Sequence, residues 1–287
     1  MKLPMGGMKR GGLAGHVAIV TGASRGVGKG IARGLGEAGA TVYVTGRTVK
    51  PSELPGTIGE TAAEVTELGG HGIAVPCDHS DDEQTRALVE RVLAESGHID
   101  ILVNNAFAVP DGRVVGPFWE LPLAQWDTIH RVGLRSHFVA AYYAAPSMIA
   151  RKSGLIVNVS SFGAKIYSIS VAYGVGKAGV DRMSRDMGRE LAPHGVCAVS
   201  IWPGIVKTER LLLERDRIGF DPKHGETPTF SGRAVAALAL DPHRMKKTGQ
   251  ALVVAELAAE YGLSDLDGTL PVSLRKLKPE PENKPDK

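Results

Sequence analysis

Tyr173 and Lys177 stand four residues apart in the run Y-G-V-G-K, and Tyr173 follows Ser161 by twelve residues. On a helix, positions i and i+4 share one face, so the phenol and the ammonium would be neighbours. A free phenol ionises near pKa ~10. A cation beside it favours the phenolate and draws it toward proton transfer at neutral pH. Such a pair suits general acid/base work better than nucleophilic attack. Alone, a Tyr and a Lys on one helix face are also common surface residues.

The second stretch with chemistry in it is T-G-A-S-R-G-V-G, Thr21–Gly28. A β-branched apolar run, His16–Val20, precedes it, and apolar residues at helical spacing follow from Lys29 to Ala38 (Ile31, Leu35, Ala38). Strand, glycine turn and helix N-terminus together make an anion site for a pyrophosphate. The spacing is G-x-x-x-G-x-G rather than G-x-G-x-x-G. Beyond the second apolar run no Asp or Glu occupies residues 45 to 48, where a ribose 2′-hydroxyl would want an acceptor; Arg47 stands there, and Arg25 lies inside the glycine turn. Two guanidiniums suit a 2′-phosphate, which favours NADP(H), with NAD(H) as the alternative. Asp78, beside His79, could accept from an adenine amino group or cap the next helix. Asn104-Asn105-Ala106, Ser160-Ser161 and Pro203-Gly204-Ile205-Val206-Lys207-Thr208 each follow an apolar run as well.

The elements that must position these residues alternate regularly. Strands are expected at His16–Val20, Thr41–Thr45, Gly72–Pro76, Asp100–Val103, Leu155–Val159, Val196–Ile201 and Ala251–Val254. Helices are expected between them: Lys29–Ala38, Thr57–Leu68, from the cap Asp81 to about Glu95, Leu123–Arg151, Val171–Leu191 and Arg233–Leu240. Residues 206–229 read as irregular and charged. This alternation predicts a parallel α/β sheet with right-handed crossovers and a ligand crevice at the carboxyl ends of the strands.

The 287 residues carry a formal net charge of +3, 43% hydrophobic and 23% charged residues, the profile of one large globular domain. Lys and Arg gather near the ends, which argues against a nucleic-acid partner. Cys77 and Cys197 each sit in an apolar run and read as core thiols, not as a disulfide or metal site, which suits a reducing cytoplasm. No apolar run is long enough to span a membrane, and the start has no secretory signal. Residues 1–14 read as a loose arm, 15–272 as the domain, and 273–287, rich in Pro and charge, as a disordered tail.

Each motif is soft, but the order T-G-x-x-x-G-x-G, N-N-A, Ser, Y-x-x-x-K, P-G-x-V-x-T is specific. From residue 16 to about 256 it resembles the short-chain dehydrogenase/reductase family. The resemblance implies a single-domain Rossmann fold, a doubly wound seven-stranded parallel sheet with helices on both faces. It also implies hydride transfer between NAD(P)(H) and a carbonyl or alcohol. It makes Tyr173 the catalytic acid/base, Lys177 the holder of the nicotinamide ribose and tuner of Tyr173, and Ser161 the stabiliser of oxyanion charge, with Ser160 as the alternative. Gly22, Gly26, Val27 and Gly28 would form the pyrophosphate turn. Ser24 and Arg25 would lie near the adenosine phosphate and Arg47 at the 2′-phosphate. Asp78 would contact adenine, with the backbone of His79 beside it. Asn105 and Ala106 would line the ribose path, and Pro203, Gly204, Val206 and Thr208 would bracket the carboxamide. Residues 207–229 would be the substrate lid.

Two departures stand out: Phe107 replaces the glycine expected after N-N-A, and Gly133 replaces an asparagine that helps relay protons to the lysine. V-G-L-R at 132–135, Y-G-V-G-K at 173–177 and the run T-G-Q-A-L…L-A-x-x-Y-G-L-x-D-x-D-G at 248–268 resemble one subgroup of that family, which suggests a carbonyl reductase of broad or unknown substrate. A homodimer or homotetramer through the helices at 123–151 and 171–193 is implied by analogy. The rival reading, motivated by Gly133, is a nucleotide-binding sensor or scaffold without turnover. An epimerase or dehydratase is disfavoured by the glycine spacing and the length.

Overall fold

The structure, a computed structural model, describes residues 11–112, 114–219 and 221–277. In chain order the elements are β1 (Val17–Val20), α1 (Gly26–Glu37), β2 (Thr41–Gly46), α2 (Ile58–Glu67), β3 (His71–Pro76), α3 (Asp82–Ser96), β4 (Ile101–Asn104), α4 (Leu123–His130) and α5 (Ser136–Arg151). Then come β5 (Gly154–Val159), α6 (Val171–Leu191), β6 (Val196–Trp202), α7 (Glu209–Ile218), α8 (Pro228–Leu240), β7 (Ala251–Val253), α9 (Val254–Glu260) and α10 (Leu274–Leu277). All strand pairs are parallel, in the order β3-β2-β1-β4-β5-β6-β7. Strand order reverses between β1 and β4, so their carboxyl ends open the crevice that the alternating pattern predicts.

The strands are apolar throughout because both sheet faces are covered. Along β1, Ala18 and Val20 pack into the core under α1 and α8, while Val17 and Ile19 pack into the core under α3 and α5. On the first face α1 and α8 touch backbone to backbone. A Cβ on Gly34 would lie 2.3 Å from the Gly232 carbonyl carbon, so no side chain fits there. Arg233 and Glu37 form a buried ion pair at 3.1 Å across the same contact.

Four expectations are corrected. Residues 206–229 are not irregular: α7 occupies 209–218, capped by Thr208 Oγ1, which accepts from Leu211 N at 3.2 Å. The long helix Leu123–Arg151 is interrupted by one π-turn, Arg131–Arg135, centred on Gly133. The arm is not loose where it is described, because Leu13 is fully buried in the first core and its N–H bonds to Ala38 O at 2.8 Å. The tail is ordered as far as 277: Ser273 Oγ donates to Glu256 at 2.7 Å, and Arg275 pairs with Glu256 and lies over the Trp202 ring at 5.6 Å. Residues 1–10 and 278–287 lie outside the described residues. α8 also starts five residues before the expected Arg233, because Pro228 sits in its first turn, where its missing N–H costs nothing. Among the described residues no helix is long and apolar enough to cross a membrane.

Candidate active site

A cleft of about 810 Å³ lies at the carboxyl ends of the strands. It brings together Gly22, Ser24, Arg25, Gly26, Val27, Arg47, Asp78, His79, Asn105, Ala106, Ser161, Tyr173, Lys177, Pro203, Gly204, Val206 and Thr208. Gly28 alone of the expected residues lies behind its wall.

The glycine turn is tied to β4. Asn105 Nδ2 donates to the carbonyls of Thr21 and Gly22 at 2.9 and 3.0 Å, and Thr21 Oγ1 accepts from the N–H groups of Asn105 and Ala106. Gly22 takes φ +63°, and a Cβ there would meet Ala106 Cα at 2.7 Å. A Cβ on Gly28 would sit 2.3 Å from Asn105 Nδ2. Asn105 therefore acts first as the brace of the turn. At the N-terminus of α1, the Gly26 N–H donates to Glu209 Oε2 at 2.7 Å. A carboxylate reaching in from α7 is thus seated where the helix dipole and free N–H groups attract an anion. The same donors fit a pyrophosphate.

At the end of the cleft beyond the glycine turn the two arginines differ. Arg25 donates to the carbonyls of Leu54, Pro55 and Gly56 at 2.8–3.1 Å and so staples the loop after β2. Arg47 is two-thirds exposed, with Asp78 Oδ2 at 3.9 Å. Asp78 Oδ1 accepts from Ser80 N and Oγ at 2.9 and 2.8 Å, bonds that, with Arg47 nearby, outweigh burial and hold its carboxyl below the ordinary value. The His79 ring is buried against Thr45 Oγ1 at 2.9 Å, and burial lowers its pKa to about 4, so the ring is neutral.

At the other end, Tyr173 OH donates to Ser161 Oγ at 2.9 Å, and Ser161 Oγ also accepts from Gly163 N at 3.1 Å. Of the two serines, Ser161 meets the phenol; Ser160 is buried and donates to Lys177 O at 3.1 Å. Lys177 is 7% exposed, and its Nζ donates to Val159 O at 3.0 Å. Burial brings its pKa down to about 8, with Asp181 pulling the other way. The expected lowering of the Tyr173 pKa by Lys177 is not what this arrangement produces. Burial raises the phenol, the Ser161 bond opposes it, and the ammonium is aimed at the Val159 carbonyl, 5.9 Å from the Tyr173 ring centroid. The ring of Phe107 lies against both Tyr173 and Lys177.

Several polar groups escaped the reading of motifs. Asn104 Nδ2 donates to Asn158 Oδ1 at 2.9 Å and to His137 O at 3.1 Å, and Asn158 Nδ2 donates to Ser184 Oγ at 2.9 Å. This buried ladder joins β4, β5, α5 and α6 directly behind the site. Asn104 already stood in the Asn104-Asn105-Ala106 motif, and the signal for its partner was the lone amide inside the apolar run L-I-V-N-V. Asp181 accepts from Ser200 Oγ and Trp202 Nε1 at 2.7 and 3.0 Å, one turn beyond Lys177. Glu226, 3% exposed, lies under Gly204, whose Cβ would be 2.6 Å from Glu226 Oε2. No local pattern marks Glu226, because its partners come from the far ends of the lid.

The short chain dehydrogenase family model matches residues 16–217. This chain belongs to the short chain dehydrogenase family. Dehydrogenase/reductase SDR family member 1 from Homo sapiens is 43% identical over 270 residues, 88% of this chain and 84% of that protein. The protein of the same name from Mus musculus is 42% identical over 271 residues, 89% of this chain and 85% of that one. Among solved structures, a short chain dehydrogenase from Mycobacterium thermoresistibile superposes with a TM-score of 0.77 at 26% identity, over 91% of this chain and 95% of that one. A metagenomic short-chain oxidoreductase in complex with NADP gives 0.69 at 32% identity, over 84% and 97%. As a short chain dehydrogenase of this type, the chain is an oxidoreductase of the family that acts on small molecules with NAD(P)(H).

Proposed function

We propose that this short chain dehydrogenase is an NADPH-dependent carbonyl reductase, reversible toward secondary alcohols, with Tyr173 as the general acid/base. The observation that carries the reading is the hydrogen bond from Tyr173 OH to Ser161 Oγ, 2.9 Å, beside the buried ammonium of Lys177 in the wall of the cleft. Gly22, Gly26 and Val27 would hold the pyrophosphate, Asp78 the adenine, Arg47 the 2′-phosphate, and Lys177 the nicotinamide ribose with the N–H groups not spent on Val159. Pro203, Gly204, Val206 and Thr208 would flank the carboxamide. When bound, the nicotinamide supplies hydride to the carbonyl carbon or takes it back.

The protein's own part is proton transfer and orientation. The Tyr173 phenol gives its proton to the carbonyl oxygen, and Ser161 donates to the same oxygen as charge builds on it. A phenol whose pKa burial has raised keeps its proton at neutral pH, which suits the reductive direction. Phe107, Val109, Val132, Ile169 and Leu211 line the cleft together with Asp111, Arg210 and Glu214. This favours an apolar ketone or aldehyde with a polar end. Support for NADP(H) comes from Arg47 and from the structural neighbour solved with NADP. Phe138 and Tyr142, exposed one turn apart on α5, support a homodimer or homotetramer through that face. Two buried free thiols, Cys77 and Cys197, suit the cytoplasm.

The test is carbonyl-dependent oxidation of NADPH by wild type and Tyr173→Phe. The variant should lose between about a hundredfold and ten-thousandfold of the rate while binding nucleotide as before. A variant that keeps most of its rate would sink the acid/base assignment.

A further inference from the structure

The ring of Phe107 leaves the end of β4 and touches both groups that do the chemistry. Its centroid is 5.1 Å from Lys177 Nζ. Its edge-to-face contact with Tyr173 has centroids 5.9 Å apart and planes at 87°. On its other side is Gly133: a Cβ there would lie 2.7 Å from Phe107 Cδ2 and 3.0 Å from Cε2. Gly133 is not among the positive-φ glycines, so what it offers is space and not backbone freedom. It sits in the middle of the π-turn Arg131–Arg135, the local widening that carries this stretch past the ring.

We propose that Phe107 is the positioning residue of the site. Its π face holds the Lys177 ammonium, its edge fixes the tilt of Tyr173, and residue 133 is bare so that the ring can be seated. This rests on the acid/base reading of Tyr173 given above. The physical case is that an ammonium has three N–H donors, and among the described residues one of them is taken by protein, at Val159 O. A negative ring face attracts the rest of that charge without competing for its donors, which stay available for hydroxyl groups of a ligand. The other groups that act on Lys177 are Asp181, along α6, and His137, from α5. His137 is neutral, held down to about 3 by burial and then by Lys177 itself, and its Nε2 is hydrogen-bonded to Ala106 O at 3.1 Å. The charged lysine is thus favoured by the Phe107 ring, by Asp181, by the Val159 carbonyl and, at 5.9 Å, by the Tyr173 ring, and of the two rings Phe107 is the nearer. The two unusual positions, 107 and 133, are one contact.

The experiment is a heteronuclear NMR titration of lysine side chains in the nucleotide-free protein, with the Lys177 signal assigned by its loss in Lys177→Met. Phe107→Leu keeps an apolar plug of similar reach and removes the π face. Lys177 should then titrate lower than in wild type by about half a pH unit or more. An unchanged or raised value overturns the proposal. Seating is tested separately by thermal melting: Gly133→Ala should lower Tm by several degrees with Phe107 present and leave it unmoved in a Phe107→Ala background, whereas equal losses in both backgrounds overturn it. Neither readout needs turnover. An enzyme inactive with every carbonyl would sink the reductase reading and leave the titration to decide this one.

Discussion

Arg25 and Arg47 both line the cleft, at the end proposed for the adenosine, and their partners separate their roles. Arg25 spends its guanidinium on three loop carbonyls and on Thr48 Oγ1, so it shapes the rim. Arg47 reaches out with a loose contact to Asp78, and a doubly charged phosphate would displace that contact at little cost. Arg47→Ala should therefore cut NADPH affinity about tenfold, about 1.4 kcal/mol, and leave NADH affinity nearly unchanged. Nucleotide fluorescence titration reads both, and equal losses for the two nucleotides would put the 2′-phosphate elsewhere. Residue types announced a basic adenosine end. Which arginine was free depended on where the carbonyls of residues 54–56 turned, and no spacing rule covers that loop.

Helix α7 is the element whose role changed most between sequence and structure. Its charged residues, Glu209 to Asp216, concealed a helical register, because the stretch is polar on average and its apolar residues, Leu211–Leu213, come as one short run. Folded, it carries Glu209 onto the N-terminus of α1. A nucleotide phosphate and this carboxylate compete for one positive helix end, so Glu209→Ala should tighten nucleotide binding by up to about tenfold. Affinity that stays level or falls would mean that the carboxylate and the phosphate do not share the site. At the other end of the lid, Glu226 N and O bond to Ile205 O and Lys207 N at 2.9 and 2.8 Å, so lid entry and exit are stitched side by side. The segment between them is a closed loop on two adjacent backbone segments.

For the molecule as a whole, stability carries the mark of the buried carboxyl of Glu226. Burial raises its pKa to about 7, Asp265 adds to the rise, and Gly204 N–H, Ser231 and Lys207 oppose it. A folded-state pKa above the unfolded value means that the native protein binds the extra proton between about pH 4.5 and 7. Glu226 thus costs nothing below that window, and stability falls as pH rises through it, by up to about 3 kcal/mol. Urea unfolding of Glu226→Gln at pH 5 and pH 8 should show a smaller fall than wild type, and an identical fall would mean that another group sets the slope. Local order along the chain was enough to determine the parallel sheet, the seven strands and the glycine turn, because strand and helix periodicities and turn residues act within a few neighbours. It also determined that the serines, Tyr173 and Lys177 would meet at the strand ends, since a parallel sheet puts all those ends on one edge. Only the tertiary structure decided which serine faces the phenol, where the Lys177 ammonium points, why residue 133 is bare, and that Glu209 sits on α1. Those outcomes depend on groups that meet across twelve residues of sequence, as Ser161 and Tyr173 do, up to 183, as the Gly26 N–H and Glu209 do, and local patterns carry no trace of them.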